Sequence, residues 1–210
     1  QPQYYDYLFK MSSKNGGILK QKNRYTWGKG WGFDILGLDR QKEIQLKGFM
    51  KTLSRSRIWK RIISDRNKYG GYVVEMIPTE DKKNVVPHYI PFKNIRVGKK
   101  EYSKPTNKDE KPELLPTKYY FTSDWSLSKG KIKSAPDFEV FEEWSWDFEP
   151  GDIDKDKRYL VYYKDEGFED EAYPLPDYQG GIPYIIADAE VGNFVKKNVE
   201  QGFTAGLLVQ

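Results

Sequence analysis

Between residues 184 and 203, apolar side chains return every three or four positions: Tyr184, Ile185, Val191, Phe194, Val195, Val199 and Phe203, with Asp188 in the same run. That period predicts an amphipathic helix. Pro183 suits its first turn, the Gly180-Gly181 pair turns the chain into it, and Gly202 or Gly206 is placed to end it. Pro174 and Pro176 make the approach extended. Upstream, the same period over residues 4–25 (Leu8, Met11, Ile18, Leu19) predicts a helix broken at Gly16-Gly17. From the N-cap residue Asp39 to Lys68 a second helical region carries Leu46, Phe49, Met50 and Leu53, then Ile58, Trp59, Ile62 and Ile63, with a break within 52–56.

Between these regions the pattern changes to short β-rich runs. Residues 72–77 and 85–92 read as a hairpin, and Pro87 and Pro91 put its second strand at an edge. Residues 118–121 and 158–164 read as further strands, and 138–146 is an acidic and aromatic run. The polar, Pro-interrupted stretch 98–116 reads as a loop. The fold class expected is α+β, with N-terminal helices (1–69), a mostly antiparallel β body (70–178) and a C-terminal amphipathic helix (179–210). No internal repeat is visible.

Composition narrows the chemistry. The 210 residues are 38% hydrophobic and 31% charged, with mean hydropathy −0.82, and they include 6 Trp, 16 Tyr and 11 Phe. Such aromatic content suits strands and interfaces rather than disorder. Without Cys there is no disulfide framework, thiolate metal site or cysteine nucleophile. His88, the one histidine, has no second ligand and no evident orienting partner, so it reads as a packed or surface residue. Gly-Lys-Gly-Trp-Gly at 28–32 lacks the spacing and the Lys-Ser/Thr ending of a phosphate loop. Asp152, Asp154 and Asp156 alternate as in a calcium loop, but the mid-loop Gly and closing Glu are misplaced. Neither an enzyme nor a cofactor is expected. No signal peptide or membrane span is evident. The apolar stretch 207–209, with no terminator after it, gives the expectation of a piece of a longer protein.

Charge is segregated. Through Ser134 there are 29 Lys and Arg against 13 Asp and Glu, a balance of +16; from Ala135 onward 6 face 18, a balance of −12, together the net +4. This favours a polyanion partner for one part, or contacts of opposite charge between copies. Lys47, Lys51, Arg55, Arg57, Lys60 and Arg61 form a candidate basic face for DNA or for a neighbouring subunit. One rival reading is a stand-alone nucleic-acid-binding module using this part with Trp27, Trp31 and Tyr72. Another is a carbohydrate-binding or glycoside-processing domain built on Trp125, Trp144 and Trp146 with Glu142, Glu143 and Asp147. That chemistry needs two carboxylates facing one cleft.

Several short segments, in order, resemble the portal proteins of tailed bacteriophages, in particular those of phages of Bacteroidetes hosts. They are the Gly-Lys-Gly turn after the first helix, Tyr69-Gly-Gly-Tyr-Val-Val-Glu-Met76, His88-Tyr-Ile-Pro-Phe-Lys-Asn-Ile-Arg-Val-Gly-Lys99, Tyr119-Tyr-Phe-Thr-Ser-Asp-Trp125, Tyr173-Pro-Leu-Pro-Asp-Tyr178, Asp188-Ala-Glu-Val-Gly-Asn-Phe194 and residues 198–205. Gln201 stands before Gly202-Phe203 where the family has Asn. The resemblance implies a wing-like piece of a homo-oligomeric, dodecameric ring at the capsid vertex. Double-stranded DNA passes through such a ring, and terminase, capsid, and tail or adaptor proteins dock on it. It also implies a location in the virion, and in the host cytoplasm during assembly, with no hydrolytic activity and no membrane. In such a ring the basic face of one subunit would meet an acidic face on the next, for which Glu139, Glu142, Glu143, Asp152 and Asp154 are candidates.

Overall fold

The computed structural model describes residues 1–29, 37, 39–55, 57–80, 85–101, 115, 117–127, 129–148, 153–154, 156–165 and 172–201, the side chains of 49, 52–55 and 129 apart. Two helices open the chain, α1 (Pro2–Met11) and α2 (Ser13–Trp27). The break predicted at Gly16-Gly17 falls instead at Ser12, whose hydroxyl accepts from the Asn15 N–H at 3.1 Å and caps α2. Gly16 lies inside α2 for a different reason: a Cβ there would stand 3.0 Å from the Phe9 carbonyl. α3 (Arg40–Arg55) and α4 (Ile58–Tyr69) follow. α3 ends at Arg55, inside the expected window, and Arg57, with φ 54°, stands before α4.

Six strands form one sheet: β1 (Gly71–Pro78), β2 (Val85–Tyr89), β3 (Ile95–Val97), β4 (Lys118–Phe121), β5 (Glu139–Glu143) and β6 (Tyr159–Lys164), in the order β2-β1-β6-β5-β4-β3. β2 is an edge, as Pro87 requires; it pairs with β1 in the register Glu75↔His88. Neighbours are antiparallel except β5 and β6, which run parallel. The expected α+β class, mostly antiparallel with a C-terminal helix, is therefore what forms. A four-residue helix, α5 (Lys129–Ile132), lies between β4 and β5.

Alternation along the strands sorts the core. Val73, Leu160, Phe141, Tyr119 and Ile95 share one face and are buried. Tyr5 and Leu8 of α1, Tyr69 of α4, Phe92 and Ile185 complete this cluster. Rings stack through it from Tyr69 to Phe92 (5.3 Å), Phe92 to Tyr162 (5.6 Å) and Tyr162 to Tyr119 (5.2 Å). Each fully buried Leu or Phe contributes about 1.5–3 kcal/mol. On the opposite face, Val74 packs against Ile58 and Ile62 of α4. The first cluster draws on all three expected segments, 1–69, 70–178 and 179–210, so they share one core.

Gly70 joins α4 to β1 at φ 80°, and a Cβ there would stand 2.4 Å from the Leu175 carbonyl. Only glycine combines that φ with so close an approach. The Pro174-Leu175-Pro176 elbow lies directly against this turn. The Tyr178 hydroxyl closes it by donating to the Lys68 carbonyl at 2.7 Å. After a 3-10 turn comes α6 (Ile182–Glu200), which ends before either glycine proposed to stop it; both lie outside the described residues.

Candidate functional site

His88 has the partner that the sequence did not reveal. Glu75, directly across the strand pair, stands 3.0 Å from its Nδ1. The Glu75 carboxylate is buried, and its other oxygen accepts from Arg158 Nε and Nη2 at 2.8 and 2.6 Å. Arg158 also reaches Glu139 and lies over the Phe141 ring at 4.6 Å. A charge removed from water is retained only when paired and hydrogen-bonded. Both Glu75 oxygens are engaged, which makes this a structural network tying β2, β1, β6 and β5 together. Among the described residues no three His, Asp or Glu side chains cluster as metal ligands.

The candidate acidic face is partly consumed within the chain. Glu139 pairs with Arg158, and Glu142 with Lys157 at 3.0 Å. Glu143 stands on the opposite face of β5 from Glu142, in a cleft of about 650 Å³ with Lys99, Lys100 and Lys164. The two neighbouring acids therefore do not face one cleft, as a glycosidase would need. Asp154 accepts from the Asp156 N–H, and Asp152 lies outside the described residues. Trp146 is exposed, while Trp144 packs edge-on against Phe148 and Tyr159; Trp125 donates from its indole to the Asn94 carbonyl.

The candidate basic face is divided between two helices. Lys47 pairs with Glu43 along α3, and Arg57 occupies the turn between the helices. On α4, Lys60 lies over Trp27 and Arg61 over Tyr89, at 5.2 and 5.3 Å from the ring centroids. Lys51 is exposed; the Arg55 side chain and Trp31 lie outside the described residues.

Two carboxylates escaped sequence reading. Asp65, in the apolar run of α4, is buried, and burial pushes its carboxyl up to about 6 although it accepts from the Phe92 N–H at 3.0 Å and the Tyr89 hydroxyl at 2.9 Å. For Asp6, burial also acts to raise the value. Hydrogen bonds from Lys10 and Lys68 and the nearby charge of Lys93 outweigh it and hold the group at about 2. The one available signal for Asp65 was its spacing from Ile58 and Ile62, which places it on their face.

The apolar stripe predicted for α6 exists, and apart from Ile185 it faces away from the core. The helix docks through Ile182, Ile185 and Ala189, and Asp188 holds Ser12 at 2.8 Å and Lys14 at 3.1 Å. Tyr184, Val191, Phe194, Val195 and Val199 point into solvent, Tyr184 80% and Phe194 67% exposed. Single exposed apolar residues are ordinary, but a continuous exposed stripe marks an interaction surface. No described helix is long and apolar enough to cross a membrane. Compared with family models, with curated proteins and with solved structures, the chain finds no match in any of the three.

Proposed function

We propose that this chain is part of a phage portal subunit, a structural component of the ring through which DNA is packaged and ejected and on which terminase and tail proteins dock. The observation that carries the reading is that the segments resembling that family touch one another. Gly70 and Gly71 lie against the 174–176 elbow. The Tyr173 hydroxyl accepts from the Val97 N–H at 3.3 Å, and Val97 pairs with Tyr119. Trp125 reaches back to Asn94. Short motifs scattered over a hundred residues thus compose one junction between sheet, elbow and helix. The test is the mass of the assembled protein that carries this chain, measured by native mass spectrometry. A discrete high-copy species supports the reading, and a monomer at every concentration overturns it.

A second reading, nucleic-acid binding by the N-terminal part alone, is favoured by Lys51 and Arg57, which are exposed and make no ion pair among the described residues. It requires DNA affinity of the isolated chain that falls steeply with salt. Salt-insensitive or absent binding removes it.

A further inference from the structure

The exposed face of α6 has a definite shape and a definite charge pattern. At 100° per residue, Phe194, Val191, Tyr184, Val195 and Val199 span a sector about 140° wide, with Ala187 and Asn198 inside it and Asp188, which holds Ser12 and Lys14, between Val195 and Val199 near one margin. The docked apolar residues Ile185 and Ala189 lie outside that sector. Toward its C-terminal end the helix leaves its own chain: a Cβ on Gly192 would meet nothing within 4 Å.

We infer that this face is a self-association seam, on which α6 of a second copy of the chain packs antiparallel. Two observations select the occupant. The first is area. The exposed apolar side chains leave about 600 Å² in water, so pairing two such faces buries about 1,200 Å², the lower edge for a specific interface. The second is charge. Glu190 and Lys197 flank the Phe194 side of the sector, one turn before and one turn after it. Both are exposed, and neither makes an ion pair with another described residue of its own chain. In an antiparallel pair Glu190 of each copy comes opposite Lys197 of the other, twice by symmetry. In a parallel, in-register pair like charges share a level. The same antiparallel register sets Val191 against Phe194 of the second copy and Ala187 against Asn198. A large side chain then meets a medium one, and a small one meets a polar one.

Such a contact is isologous and closes at two copies, whereas a cyclic ring is held by head-to-tail contacts. The seam is therefore a separate interface from those the portal reading calls for, and it stands on the α6 geometry alone. A ring without the seam and a seam without the ring are distinguishable results.

The experiment is sedimentation velocity on the 210-residue chain over a concentration series, with charge-reversal variants. A monomer–dimer equilibrium is expected for the native chain. Glu190→Lys and Lys197→Glu should each weaken it tenfold or more, because each sets like charges opposite one another twice. The double variant restores the complementary pairs and should return to within about threefold of the native constant, which tests the pairing as a double-mutant cycle. Both positions are exposed, so circular dichroism melting, at a concentration where the native chain is monomeric, should be unchanged in all three variants. A native chain that stays monomeric throughout overturns the proposal. So does association that ignores the reversals, a double variant as weak as the singles, or a chain that pairs only with an added, different protein.

Discussion

Single residues decide how this chain spends its apolar and charged groups. Phe194 and Ile185 lie on one helix and look equivalent in the sequence, yet one faces solvent and the other the core. Phe194→Asp should therefore leave the melting temperature of the monomeric chain within about 2 °C of native, whereas Ile185→Asp buries an unpaired charge and should cost at least about 3 kcal/mol. Thermal melts of the two variants check this. Asp65 and Asp6 set opposite pH dependences. Asp65 titrates near 6 when folded and near 3.8 when unfolded, so the stability its protonated form contributes is lost as pH rises between those values. The full loss is about 3 kcal/mol. Asp65→Asn keeps an acceptor without the charge and should raise stability at pH 7.5 by up to that amount, with little change at pH 4. Asp6, held at about 2, acts the other way: its contribution is present above 3.8 and disappears as pH falls toward 2. Asp6→Asn should thus destabilise at pH 7 and be neutral in strong acid. Urea midpoints of both variants at the two pH extremes test the signs.

At the level of elements, local chemistry was readable wherever the cause of an element is local. The bounds of β4, the edge position of the Pro87 strand and the division of α3 from α4 follow from strand propensity, a missing N–H and a break in the apolar period. Elements fixed by distant partners were not readable. β3 is three residues long and exists because β4 pairs with it, so its sequence merges with the loop that follows. The parallel β5–β6 pair depends on a crossover that no short motif announces. Gly16-Gly17 looked like a break because glycine weakens helices, but Ser12 supplies a cap four residues earlier. For α6 the apolar period was visible and the direction it faces was not, because three small contacts (Ile182, Ile185, Ala189) and one ion-paired Asp188 fix the docking. The His88–Glu75 pair needed the hairpin register before it could be seen. The turn between α4 and β1 offers a test at this scale. Gly70→Ala forces a Cβ into left-handed backbone and against the Leu175 carbonyl, and should cost more than about 2 kcal/mol. A loss of stability below about 0.5 kcal/mol, from the urea midpoint and its m-value, would show that the elbow yields.

Across the whole molecule, one core joins the N-terminal helices, the sheet and α6, and the surface left over is segregated in character. Ion pairs inside the chain absorb much of the acidity of β5, including Glu139 and Glu142, and cation–π contacts hold Lys60 and Arg61. Among the described residues the apolar face of α6 has no such internal partner, and the role proposed for the whole molecule is that of a portal ring subunit. Negative-stain imaging of the protein that carries the chain tests that claim most directly. Closed rings with one central opening are the expected result. Compact particles without an opening, at every concentration and salt, would contradict the account.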